Sequence, residues 1–112
     1  MDQEETDRVF GALADATRRD IVVRTMQREH SVSDLADLYP MSFAAVQKHV
    51  AVLERAALVT KRRRGREQLV RGNVHTIREA SRLLDQLEDL WRARLDRFGD
   101  ILAEEPDRGA DP

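Results

Sequence analysis

Apolar positions recur at helical spacing in five stretches of the chain, and two β-compatible runs joined at a glycine make up a sixth. Within residues 6–14, Val9, Phe10 and Leu13 predict a short first helix. Asp15 is a good N-cap for a second, residues 16 to about 27, with Ile21, Val22, Thr25 and Met26 as its inner stripe. Ser31 and Asp34 have the spacing of a capping box for a short third helix through residue 38, with Leu35 and Leu38 turned inward. Pro40 cannot continue that helix and biases Tyr39 away from helical angles. Ser42 then caps a fourth helix to about residue 56, with Val46, Val50 and Leu53 on its buried face. Ala44, Gln47, Lys48 and Ala51 lie on the opposite face.

Two β-compatible runs follow, residues 58–63 and 66–71, joined at Gly65, and read as a two-stranded hairpin. Asn73 is placed to cap a long last helix to about residue 103. Its stripe of Ile77, Ala80, Leu84, Leu87 and Trp91 has spacings of three, four, three and four, and continues through Leu95, Phe98 and Leu102. That stripe needs a partner. Residues 104–112 are acidic, contain Pro and Gly, and lack periodicity, which predicts a disordered tail after a domain spanning 1–103. The expected class is therefore mainly α, five helices with a two-stranded β-hairpin.

At 112 residues the chain is one domain's worth, and a core this small gains from burying surface against a partner. Charged residues make up 36% of it, above the ~25% of average soluble proteins, so the surface is densely ionic. The absence of Cys excludes disulfides, thiolate metal sites and cysteine nucleophiles. No apolar run approaches the ~18 residues of a membrane span, and the acidic first residues are unlike a signal peptide. A soluble cytoplasmic protein with no membrane partner is expected.

The formal net charge of −2 conceals an asymmetry. Residues 42–72 carry eight basic side chains against Glu54 and Glu67, while both ends of the chain are acidic. Such a block is an electrostatic footprint for a polyanion, although a solvated face in an Arg-rich chain has the same composition. Order decides between them. A short helix, a turn, a second helix and a basic hairpin make a winged helix-turn-helix. A helix entering the major groove must present small or hydrogen-bonding side chains, as Ser42, Ala44, Gln47 and Lys48 do. Gln can pair with adenine and Lys with guanine or phosphate, and Phe43 can meet a thymine methyl or pack on the second helix. Arg62, Arg63, Arg64 and Arg66 crowd the hairpin tip, where guanidinium groups can grip phosphates or a narrow minor groove.

The residues also resemble a family. Ala12-Leu13-Ala14-Asp15-Ala16-Thr17-Arg18-Arg19-Asp20-Ile21 is similar to the "ALADPTRRxIL" opening of ArsR-type (arsenic-repressor-like) bacterial transcription regulators. Ser33-Asp34-Leu35-Ala36 resembles the family's third helix. Met41-Ser42-Phe43-Ala44-Ala45-Val46-Gln47-Lys48-His49-Val50, followed by Leu53-Glu54-Arg55-Ala56-Ala57-Leu58-Val59, resembles its recognition helix, "S-x-x-x-V-S-x-H-L-x-x-L-x-x-A-G-L-V". The resemblance implies a homodimeric repressor on an inverted-repeat operator. It also implies a dimer interface on the first and last helices, here Val9, Phe10, Leu13, Leu84, Leu87, Trp91, Leu95 and Phe98.

Departures from the family pattern bear on the signal. Where metal sensors carry two cysteines around the third helix, this chain has Ser31 and Ser33, poor ligands for soft or borderline metals. The last helix has His75 only at its start, remote from Asp85, Glu88 and Asp89. No metal site and no cofactor are expected. An unidentified small-molecule effector between the first and last helices stays open, with Trp91 and Phe98 either lining its pocket or packing in the interface. His30 and His75 read as surface or capping residues. His49, on the recognition helix, contacts phosphate, packs, or reads a base. An enzyme is disfavoured because no Cys and no Gly-rich phosphate loop are present. A protein-interaction module of the same fold is the alternative to a DNA-binding regulator, and the basic hairpin argues against it.

Overall fold

In a computed structural model, the backbone is described for residues 1–110 and the side chains through Glu104. The elements run α1 (Gln3–Leu13), α2 (Ala16–Gln27), β1 (His30–Ser31), α3 (Val32–Asp37), α4 (Phe43–Arg55), β2 (Val59–Arg64), β3 (Glu67–Gly72) and α5 (Val74–Ala110). The chain divides into a compact unit, Met1–Ala80, and a second that begins at Ser81 and comprises the rest of α5. The tail expected from residue 104 lies, beyond Glu104, outside the residues whose side chains are described.

Caps set most helix starts. Asp15 accepts from the Arg18 N–H, Ser31 Oγ from Asp34 N at 3.0 Å, and Ser42 Oγ from Ala45 N at 3.1 Å. Asn73 Oδ1 accepts from His75 N at 3.2 Å at the start of α5. The first helix begins earlier than the apolar pattern indicates. Asp2 caps it in a reciprocal box with Glu5, a polar signal that carries no apolar period.

The core of the first unit gathers Val9, Ala12, Ile21, Val22, Leu35, Val46, Val50, Leu53, Leu58 and Val70. Val9, assigned to the dimer interface by resemblance, is 1% exposed. It shares a face with Ala12 that α1 turns onto α2 and α4 of its own chain, so it offers no surface to a partner. Phe10 and Leu13 are half-buried against the same core. Two inward assignments are also corrected. Leu38 is 44% exposed because α3 ends there, and Tyr39 packs on the core instead. Met26 is half-covered and lies over β3, where a Cβ on Gly72 would come within 2.7 Å of its Sδ.

The hairpin is part of a three-stranded antiparallel sheet, order β1-β3-β2, rather than two strands alone. His30 pairs with Val70 and Ser31 with Leu69, a strand too short to leave a period in the sequence. His30, expected at the surface or as a cap, is buried there, and its Nδ1 lies 3.0 Å from the Arg28 carbonyl oxygen. A carbonyl can only accept, so that nitrogen carries the proton. Val59–Arg64 pairs with Glu67–Gly72 in register Arg62↔Leu69 and Arg64↔Glu67. Gly65 turns the tip with φ +61°, a left-handed conformation that glycine adopts without steric cost.

The end of α4 departs from local preference. Leu58 N–H donates to the Leu53 carbonyl and Ala57 N–H to that of Glu54, both at 2.9 Å, which is the Schellman pattern. Its left-handed residue is Ala57, φ +59°, at the position of the glycine in the family motif. The Ala57 carbonyl in turn accepts from Thr76 Oγ1 at 2.6 Å and Asn73 Nδ2 at 3.0 Å, tying the helix end to the start of α5.

Candidate nucleic-acid interface

Ser42 fixes where α4 starts, and the burial of Val46, Val50 and Leu53 fixes which way it faces. Ser42, Phe43, Ala44, Gln47 and Lys48 are consequently exposed, as the sequence pattern requires. Phe43, at 47% exposure, is in solvent rather than tucked into the core. Beside this face runs a groove of about 190 Å³ lined by Val32, Ser33, Phe43, Gln47, Arg66, Glu67 and Gln68. The start of α3, the outer face of α4 and the tip of the hairpin thus meet in one concavity. Phe43, Gln47 and Arg66 are among the DNA contacts expected from the sequence; Ser33 and Gln68 are not. Strand alternation was the available signal for Gln68, since Leu69 and its neighbours fix the pairing.

Other residues are placed differently. His49 is half-buried, and its Nδ1 lies 3.4 Å from Arg18 Nη1. A guanidinium can only donate, so the imidazole nitrogen is the acceptor. Arg18 also donates through Nε to the Ala12 carbonyl at 2.7 Å and through Nη2 to that of Gly11 at 3.2 Å. His49 therefore ties α4 to the α1–α2 junction, with Asp15 nearby held below its ordinary pKa chiefly by the Arg18 backbone N–H.

The wing arginines divide by strand face. Lys61 reaches Glu54 of α4 at 3.3 Å, so Lys61 and Arg63 define the α4 side of β2. Arg62 and Arg64 take the other side. Arg62 is engaged there by Glu29 through two parallel bonds, Nε to Oε2 at 2.9 Å and Nη2 to Oε1 at 2.8 Å. This partner lies just before β1 and had no signal in the sequence. Arg63 Nε reaches the Gly65 carbonyl at 3.3 Å. Among the described residues no ion pair holds Arg63, Arg64 or Arg66.

His75 pairs with Glu79 at 2.9 Å, and no group of three or more His, Asp or Glu able to hold a metal ion occurs among the described residues. Nor, among them, is any helix long and apolar enough to cross a membrane. Along the second unit, Leu84, Leu87, Trp91, Leu95 and Phe98 are all exposed, joined by Leu90, Ile101 and Leu102.

A helix, turn and helix with an open polar face beside a basic β-wing define a winged helix-turn-helix transcriptional regulator. No family model matches the chain. It is 33% identical over 101 residues to an HTH-type transcriptional regulator, Rv2034, of Mycobacterium tuberculosis, spanning 90% of this chain and 92% of that one. Its structure is similar to an ArsR-like transcriptional regulator from Rhodococcus sp. RHA1, with TM-score 0.77 and 32% identity over 88% and 92% of the two chains. It is also similar to the homodimeric winged helix-turn-helix DNA-binding domain of a possible ArsR-family regulator from Mycobacterium bovis. There the TM-score is 0.63 and the identity 26%, over 77% of this chain and 80% of that one. The chain belongs to the ArsR-type transcriptional regulators.

Proposed function

We propose that the protein is a homodimeric repressor that binds an inverted-repeat DNA operator. The observation that carries this reading is the shared groove, which sets Gln47 and Phe43 of α4 beside Arg66 and Gln68 of the wing. Base-reading and phosphate-gripping side chains are thereby presented to one surface, as a duplex requires. In this reading α4 enters the major groove with Ser42, Phe43, Ala44, Gln47 and Lys48 toward the bases. Arg63, Arg64 and Arg66 lie on phosphates or in the minor groove, and His49 holds α4 in place. Phe10 and Leu13 on α1, and Leu84, Leu87, Trp91, Leu95 and Phe98 on α5, supply the surfaces for the second copy. Two such chains place their recognition helices about one helical turn of DNA apart.

In-vitro selection from random duplex DNA by the purified protein tests this. Enrichment of an inverted repeat is the expected result. With ~5 phosphates met per protomer, the log–log salt slope of the dimer should be about −9. Failure to retain DNA at low salt would favour a protein-interaction role for the same fold.

A further inference from the structure

Glu29 and Arg62 come from opposite edges of the three-stranded sheet. Glu29 immediately precedes β1, Arg62 is on β2, and β3 lies between them. Adjacent strands are ~4.8 Å apart, so the pair spans ~10 Å of sheet and bridges over the central strand. Glu29 retains only 26% side-chain exposure there. The register pairs Thr60 with Arg71, Arg62 with Leu69 and Arg64 with Glu67, so Arg62, Arg64 and Arg71 share one face of the sheet. Three guanidinium groups thus share one side of the wing, and Glu29 occupies that of Arg62 in two-pronged geometry.

A carboxylate and a phosphate present the same pair of oxygens to an arginine fork. We infer that this face of the wing is a second binding site for DNA backbone phosphate, occupied at rest by Glu29, which DNA must displace to engage Arg62. The inference rests on the DNA-binding reading above and adds to it an internal competitor. Glu29 weakens binding, and lowers the number of phosphates met, until the carboxylate swings away.

The test is a binding titration of the full chain against a fluorescein-labelled random-sequence DNA duplex over a range of salt. Glu29→Gln removes the charge with almost no change of shape. It should tighten binding by up to about eightfold per protomer at ~0.1 M salt and steepen the log–log slope by about 0.9 per protomer. The gain must depend on Arg62, so Glu29→Gln combined with Arg62→Gln should bind no better than Arg62→Gln alone. Glu29→Asp keeps the charge but shortens the reach, and should give part of the gain. It also keeps the test decisive if the first variant folds poorly by thermal melting.

A gain that persists without Arg62 would reduce Glu29 to general repulsion and overturn the inference. So would wild-type or weaker affinity in a well-folded Glu29→Gln, which would mean that Glu29 orients Arg62 for DNA. Duplex binding by the wild type with no gain in the variants defeats the inference alone. Loss of duplex binding throughout defeats the DNA reading with it.

Discussion

The Tyr39 hydroxyl donates to Asp20 Oδ2 at 2.6 Å, and the same oxygen accepts from Arg24 Nε at 2.8 Å. This junction fastens the turn before α4 to α2, and so sets how the exposed face of α4 is presented. Burial first, and the bond to Asp20 second, push the Tyr39 pKa up to about 12. The bonds from Tyr39 and Arg24 hold the Asp20 carboxyl below its ordinary value.

The pH consequences have opposite signs. A tyrosine raised in the folded state contributes its stabilisation below its unfolded value of ~10 and loses it as pH rises toward the folded value. Asp20 contributes above its unfolded value and loses that contribution as pH falls through the lowered one. Tyr39 is the only tyrosine, so tyrosinate absorbance reports it directly. Its midpoint should lie near 12 in the folded protein. Tyr39→Phe should cost about 1 kcal/mol at neutral pH and remove the alkaline part of the stability loss. An ordinary midpoint in folded protein would show that Tyr39 is neither packed against the core nor bonded to Asp20 as described.

Ala57 holds a left-handed conformation in a motif that otherwise closes as a glycine cap does. The side chain crowds its own carbonyl there, at a cost of about 1 kcal/mol or more. Ala57→Gly should recover roughly 1 kcal/mol, less the added entropy of the unfolded chain, and raise the melting midpoint by several degrees. The Ala57 carbonyl keeps its bonds to Thr76 and Asn73 in the variant. A midpoint below that of the wild type would refute the strain.

Gln47 and Arg66 line one groove but should fail differently. Gln47→Ala removes a base contact, costing about 1–3 kcal/mol at one operator position with an unchanged salt slope. Arg66→Ala removes a phosphate contact, weakening binding to all sequences alike and making the dimer's slope shallower by about 2. Selection on random DNA and a salt titration separate the two. The same effect from both variants would contradict their assigned roles.

What the sequence discloses about this fold follows the physics of each signal. Ile21, Val46, Val50 and Leu53 are buried because a helix that repeats apolar residues every three or four positions has one inner face. Capping residues were equally legible where they preceded such a stripe, as at Asp15, Ser31 and Ser42. β1 was not, because two residues cannot show a period, and without β1 neither the sheet nor the reach of Glu29 to Arg62 can be foreseen. The wing could be recognised by its arginines, but their division between two faces depends on register, which pairing alone settles. Val9 illustrates the converse. A residue on an amphipathic helix can be turned toward its own core or a partner's, and spacing is the same in both cases.

That ambiguity can be resolved by experiment, because burial and exposure have different consequences on mutation. Eight large apolar side chains from Leu84 to Leu102 are exposed, with Trp91 at 55% and the Arg94 guanidinium 5.7 Å from its ring centroid. A stripe of this size on one helix is unfavourable in water unless a second copy covers it. Leu95→Glu would place like charges in the seam, and sedimentation should then report monomers with sharply weakened operator binding. Val9→Ala instead removes methyl groups from a site that is 1% exposed. It should lower stability by about 2 kcal/mol while leaving the assembly state unchanged. If Val9→Ala dissociated the dimer without destabilising the chain, the inward placement of Val9 would be wrong. If Leu95→Glu left the dimer intact, the partner surface would have to lie elsewhere than on this stripe.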